Sequence, residues 1–562
     1  IRVDSTLEAR SGQITLRSQG AGIVLSDRAL LDARGQAKDF NGTVVTADGG
    51  GVALQAVGGS IEVARGARVD VSAAEAGANA GRVDVRAASL TLDGQLTGSA
   101  GSGARSGSAQ FDLDQLASFS SLNGTLNAGG FAEERSLRVR SGNVDVAATD
   151  DVAARRVAIS ADGGAIRVAG RIGTGAADGA ARISLNAAGN VELAAGSSLL
   201  AGGSAPGARG GDVRIASSGG SVNFDAASTI DVRAGQEGAA GSVVFGISRA
   251  DDNTLAPTRL EGRILRQGGN APARVDVLAT RCYDVGPNVD GASIDGWAAD
   301  HEAFVARTGP TATAAVMGGL RDETGALGGG RILGGTELRS TGDLALDSTW
   351  DLTTDPWLAG LKPGTLTVRA SGNVTLSQSI GSPNDAILGT DTWSLRLVAG
   401  ADLAAANPLD TLTAASPGRG SLRLAGADAK LRTGTGRIDL AAGADIAIDN
   451  PAAVIYTAGR IGAPDTDLLG SNRWAVDGGG ISMRAGGQIS GALTSAGELW
   501  IGEWLRRPRP ASSQFEASQA TDWWALRSRV QQVVGTLAGG DIDIAAGGNV
   551  NNLFVAAPTS GR

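Results

Sequence analysis

The residues that could do chemistry are few, and their spacing is poor for it. The 562-residue chain holds one histidine, His301, and one cysteine, Cys282. Nucleophilic catalysis of the Ser-His-Asp kind needs a base, and His301 is the sole candidate. It lies between Asp300 and Glu302, which reads as an exposed loop or helix position. No Gly-x-Ser-x-Gly elbow is present to hold a nucleophile. A transition-metal site needs several His or Cys ligands, and one of each cannot make one. The three lysines follow Ala37, Leu361 and Ala429, so none ends a phosphate-binding Gly-Lys-Ser/Thr loop. Calcium repeats of the Gly-Gly-x-Gly-x-Asp type are absent. Asp and Glu are plentiful, but they alternate with apolar residues as solvated strand positions do, rather than forming the paired carboxylates of a glycan-cleaving site. The expectation is therefore no catalytic residue, no cofactor and no metal.

One cluster has the composition of a contact surface: Trp500, Trp504, Arg506, Arg507, Arg509, Trp523 and Trp524. Exposed Trp and Arg are favoured where partners meet, and an acidic glycan or a neighbouring subunit would suit them. The competing reading is packing. Thr521-Asp522 could cap a helix whose apolar residues Trp523, Leu526, Val530 and Val533 fall on one side, and one-sided helices normally bury that side. The spacing favours packing.

Composition narrows the class. Gly is 86 of 562 residues and aromatics only 4%, so the interior must be built from Val, Ile, Leu and Ala around many tight turns. So long a chain exceeds one compact core, whereas a solenoid grows without limit because each repeat touches only its neighbours. A net charge of −9 argues against nucleic acid as a partner. Positive charge is almost all Arg, which coding bias explains as readily as function. A single cysteine fits export in an unfolded state, where disulfides would obstruct passage. There is no apolar run of 18 residues and no signal peptide. Ile1-Arg2-Val3-Asp4 already alternates like a strand, so the chain reads as an excerpt of a longer one.

The repeat organises the rest. Apolar residues two apart recur as Ile14/Leu16, Val52/Leu54, Ile61/Val63, Val69/Val71 and Val83/Val85, which places each pair on one face of a half-buried strand. Ile183, Val213 and Val243 follow one another at 30-residue intervals. Within that unit strands come in threes, as in Val213/Ile215, Val222/Phe224 and Ile230/Val232, with one Gly/Ala-rich connection in phase. This predicts an all-β, right-handed parallel β-helix with short helical or loop insertions. Its roughly 20 coils would stack into a rod on the order of 100 Å long. Gly-Asn precedes a strand at Asn143, Asn190, Asn373 and Asn549, where both residues tolerate a sharp turn. Residues 1–246 read as regular repeats, and 247–330 as an irregular insertion with a helix-like run from Trp297 to Val305. The repeat continues over 331–498. Residues 499–537 form a Trp/Arg-rich helical insertion, and 538–562 resume the coil.

The second half carries more specific phrases: DTWSLRLVAGADLA at 391–404, RTGTGRIDLAAGADIAIDNPAAVIYTAGR at 432–460, GGGISMRAGGQISG at 478–491 and AGGDIDIAAGGNVNNLFVAAPTSGR at 538–562. These resemble the C-terminal module of filamentous haemagglutinin-family exoproteins of Gram-negative bacteria, over roughly residues 320–562. Residues 1–246 resemble only the general repeat of that family. The resemblance implies a secreted, cell-surface-associated β-helical shaft, exported through an outer-membrane two-partner secretion transporter. It also implies a role in adhesion, biofilm or intercellular contact. The domain that engages the transporter is not recognisable here, and its Asn-Pro-Asn motif is absent. No Arg-Gly-Asp tripeptide occurs either; Arg209-Gly210-Gly211-Asp212 is interrupted. The resemblance suggests host or neighbouring-cell glycans or proteins as partners. A structural role, by self-association into a filament or sheath, is the alternative; a β-helical polysaccharide enzyme is the third reading.

Overall fold

The computed structural model describes residues 1–74, 77–176, 179, 181–269, 271–382, 389–412, 420–464, 473–492 and 533–557. The alternating triplets form strands, and the strands stack in parallel, coil upon coil. One long sheet of 18 strands runs through the molecule, and shorter parallel sheets form the other two faces of each coil. Ile183 stands beside Val213, Val213 beside Val243, and Val243 beside Val275. On the second face Val191 stands beside Val222, and on the third Leu199 beside Ile230 and Ile230 beside Ile264. Val83, Ile183, Val191, Val213, Val222 and Val243 are all buried. Period-two alternation thus feeds aliphatic ladders into a continuous interior, and the chain is an all-β parallel β-helix.

The Gly-Asn corners work differently from the expected turn. Gly142 is left-handed at φ +97°, but the asparagines are not among the left-handed residues. At three of the four corners the Asn side chain instead binds the following coil. Asn143 Oδ1 accepts from the Ala165 amide at 2.9 Å, Asn190 from Ser221 at 2.8 Å and Asn373 from Ser421 at 3.0 Å. A corner amide that no strand would pair is satisfied this way.

One coil of the first half swaps strands for a helix. Helix α1, Phe119–Ala128, is capped by Ser118 and buries Leu122 and Leu126 against the coil interior. Buried Arg135 ties it down by donating to Asn123 Oδ1 at 2.8 Å and to the Phe131 carbonyl at 2.6 Å. Coil strands continue through Thr258–Leu260, Arg263–Leu265 and Arg274–Asp284. Helices α2, Gly291–Arg307, and α3, Pro310–Met317, then interrupt them. The run from Trp297 to Val305 lies within α2.

The single straight rod implied by the repeat does not form. Strands Arg274–Asp284 and Arg331–Ser340 are unusually long and pair along most of their length. The preceding strand pairs with the first half of the former, and the following strand with the last half of the latter. The sheet therefore steps sideways by six residues, about 20 Å. Strand Arg331–Ser340 serves two interiors: Ile332 belongs to the first hydrophobic core and Leu338 to a second. Beyond this step the second arm turns back across the outward face of the first. Arg138 bonds Asp402, and Arg209 bonds Asp541 at 2.7 Å. Eight strand spacings separate each pair along the sheet, about 38 Å in an unbent stack. Only a folded-back molecule brings them together.

Candidate functional site

The seven residues of the expected contact cluster, Trp500, Trp504, Arg506, Arg507, Arg509, Trp523 and Trp524, lie outside the described residues. The other residue singled out for chemistry, His301, is placed well, and not as expected. It is not exposed: its relative accessibility is 0%. The reason is helical spacing. Ile294, Ala298, His301, Phe304 and Val305 form the buried side of α2, and that side faces the step between the arms.

Four of the nine tryptophans gather there, from three separate segments. The His301 ring lies 4.7 Å from Trp393, edge-on, and 6.1 Å from Trp357. Trp357 meets Trp393 at 5.1 Å and 90°. Trp350 stacks on Trp297 at 5.5 Å, and Trp297 reaches Tyr283 at 5.7 Å. Trp393 Nε1 donates to the Trp357 carbonyl at 2.7 Å. Gly334 admits the imidazole, since a Cβ there would sit 2.6 Å from His301 Nδ1. Neither imidazole nitrogen makes a hydrogen bond of good geometry among the described residues, and the Lys362 backbone offers only a weak interaction. Burial, helped by the positive charge of Arg249, pushes its pKa down to about 4. A neutral ring sealed among indoles cannot serve as a base toward an outside substrate.

Beside the aromatics sits a charged knot. The Arg249 side chain is fully buried, with Nη2 2.9 Å from Asp300 Oδ2 and its guanidinium 4.4 Å from the Phe304 ring centroid. Arg281 bonds the other Asp300 oxygen, and the Tyr283 hydroxyl donates to Asp300 Oδ2 at 2.8 Å. Burial, then the bond to Asp300, pushes the Tyr283 phenol well up. Asp300 on α2 thus clamps three groups from first-arm strands and the long crossing strand.

The second meeting point of the arms gathers carboxylates. Arg138 Nε is 2.7 Å from Asp162, the guanidinium also bonds Asp402, and Asp410 lies at 3.5 Å. Burial pushes Asp410 up to about 6 against the pull of Arg138. Burial also works against Asp402, but the hydrogen bond and charge of Arg138 outweigh it and hold that carboxyl below its usual range. These acids converge on one guanidinium from two arms, which is a clasp rather than an acid–base pair. Among the described residues no group of three or more His, Cys, Asp or Glu could hold a metal ion, and no helix is long and apolar enough to cross a membrane.

No protein-family model, curated protein or solved structure matches the chain.

The aromatic elbow and the clasp were both missed by sequence reasoning. The elbow draws on residues 283 to 393, too scattered for a motif. The clasp had a signal: outward strand positions of the long sheet carry Arg138, Arg182, Arg214 and Arg396, charges that a purely solvated face does not need.

Proposed function

We propose that the chain is a non-enzymatic shaft segment of a large secreted bacterial adhesin of the haemagglutinin type, acting at the cell surface in attachment or biofilm. On this reading a two-partner transporter in the outer membrane exports it by recognising a domain outside this chain. The observation that carries the proposal is the coil-on-coil stacking, which turns a short aliphatic unit into rigid β-helical arms with loops at their corners. One such loop is already a display element. The antiparallel hairpin Gln36–Phe40 and Thr43–Ala47 stands off the coil with Phe40, Val44 and Val45 about half exposed. Sequestration of the one histidine and the tying of Asp162 and Asp402 to Arg138 favour a scaffold over a hydrolase.

The test compares two readouts on the purified chain with one on native cells. Beads coated with it should adhere to epithelial or bacterial monolayers more than uncoated beads do, and polysaccharides incubated with it should release no new reducing ends. Imaging of native cell surfaces should show scattered thin projections. An ordered lattice would favour the sheath or filament reading, and released sugar would favour the enzyme.

A further inference from the structure

Where the two arms face each other, outward residues of the long sheet enclose a slot of about 60 Å³. Its walls come from both sides: Arg214, Ser217 and Ser248 from the first arm, Arg369 and Arg396 from the second, with Thr280 and Arg339 at the crossing strands. Glu337 is the carboxylate in the wall, and it is already engaged, 2.7 Å from Arg339 and 3.0 Å from Arg369. Among the described residues Arg396 has only a long ion-pair contact, to Asp439 at 3.6 Å, and Asp439 is shared with Arg437 at 3.7 Å. Arg214 has no carboxylate of the described residues within ion-pair distance, and the strongest charge acting on it is the like charge of Arg396, opposed by the more weakly felt Asp439 and Glu337. Positive charge thus exceeds negative in a half-buried space, a costly arrangement unless something answers it.

We propose that this slot binds a tetrahedral oxyanion, sulfate or phosphate, held between Arg214 of the first arm and Arg396 of the second. Guanidinium forks suit such oxygens, and the hydroxyls of Ser248 and Thr280 supply further donors. The volume admits an ion or the end group of a larger molecule, but no buried sugar ring. A bound anion would bridge the arms, so occupancy and arm closure are linked. This inference rests on the fold alone and is independent of the adhesin reading.

The test titrates sodium sulfate and sodium phosphate into the purified chain, with sodium chloride at matched ionic strength as the reference, and follows Tm. The expected result is a saturable rise absent in chloride. In Arg214→Met and in Arg396→Met the half-saturating concentration should increase by about tenfold or more, the loss of a charge-assisted contact. Arg214→Lys should retain part of the response, and Arg167→Met, on an exposed strand face, all of it. A sulfated disaccharide binding more tightly than free sulfate would assign the anion to a glycan end group, and equal or weaker binding to a free ion. A rise in Tm that is linear, or that persists unchanged in both Met variants, overturns the proposal.

Discussion

The first arm and the elbow solve the same problem, filling an interior, by opposite means. Residues 1–284 contain no tryptophan, and their ladders are mostly Val, Ile, Leu and Ala in register, with single rings at Phe111, Phe224 and Phe245. The elbow packs Trp297, Trp350, Trp357 and Trp393 around one histidine. A coil that stacks on a copy of itself needs only a side chain that fits its neighbour above and below. A step in the sheet has no such template, so large rings of irregular shape must fill what the ladders leave open. Repetition supplies specificity in the arm, and volume supplies it in the elbow.

The sharpest way to break that contrast is a charge in the ladder. Val213→Asp places a carboxylate between Ile183 and Val243 with no partner. It should cost several kcal/mol and lower the midpoint of chemical denaturation followed by far-UV circular dichroism. Trp393→Ala should cost about 3–5 kcal/mol, by cavity formation and loss of the indole bond to Trp357. Its effect should stay local: hydrogen exchange should quicken in α2 and in strand Arg331–Ser340, while amides of the first arm keep their protection.

Acid separates the elbow from the clasp by sign. His301 is held near 4, below its unfolded value of about 6.5, so the unfolded chain takes up a proton that the folded chain refuses. Stability from this group is complete above pH 6.5 and is lost as pH falls toward 4, by about 3 kcal/mol. Asp410 is raised to about 6, so its burial costs stability at neutral pH, and that cost is relieved as pH falls from 6 toward 4. Its side chain keeps 23% exposure, which makes this gain the smaller of the two. The wild type should therefore lose stability only gently across this range. Asp410→Asn should steepen the loss and His301→Phe should reverse it, as read from denaturation midpoints between pH 7 and pH 4. Matching slopes in all three proteins would contradict the assignment. The smallest effect belongs to the corners. Asn190→Ala removes one bond to the Ser221 amide and should cost about 1 kcal/mol, with faster exchange of that amide.

The repeat was legible because its two signals agree. Period-two alternation and the 30-residue interval at Ile183, Val213 and Val243 each dictate the same parallel stack. α1 was not read, because Phe119, Leu122 and Leu126 give a helical side only two turns long inside an otherwise β-rich stretch. His301 was misplaced because its neighbours Asp300 and Glu302 are charged. Adjacency in sequence does not set burial on a helix, where residues three and four apart share a side. The fold-back was hidden for a deeper reason: it depends on what meets the outward face of the sheet, and local pattern distinguishes only outward from inward. Arg138 and Arg209 look solvated until Asp402 and Asp541 are brought to them.

That return of the second arm is the claim on which elbow, clasp and slot all depend, and a crosslink tests it directly. In a Cys282→Ser background, Arg209→Cys and Asp541→Cys place two thiols where the side chains now bond at 2.7 Å. A short bifunctional thiol reagent should join them within one chain at dilute protein concentration, giving a species of altered gel mobility that neither single-cysteine protein forms. A straight stack would hold the two sites about 38 Å apart. Failure of the reagent to link them in the folded protein, with both thiols reactive, would contradict the folded-back structure.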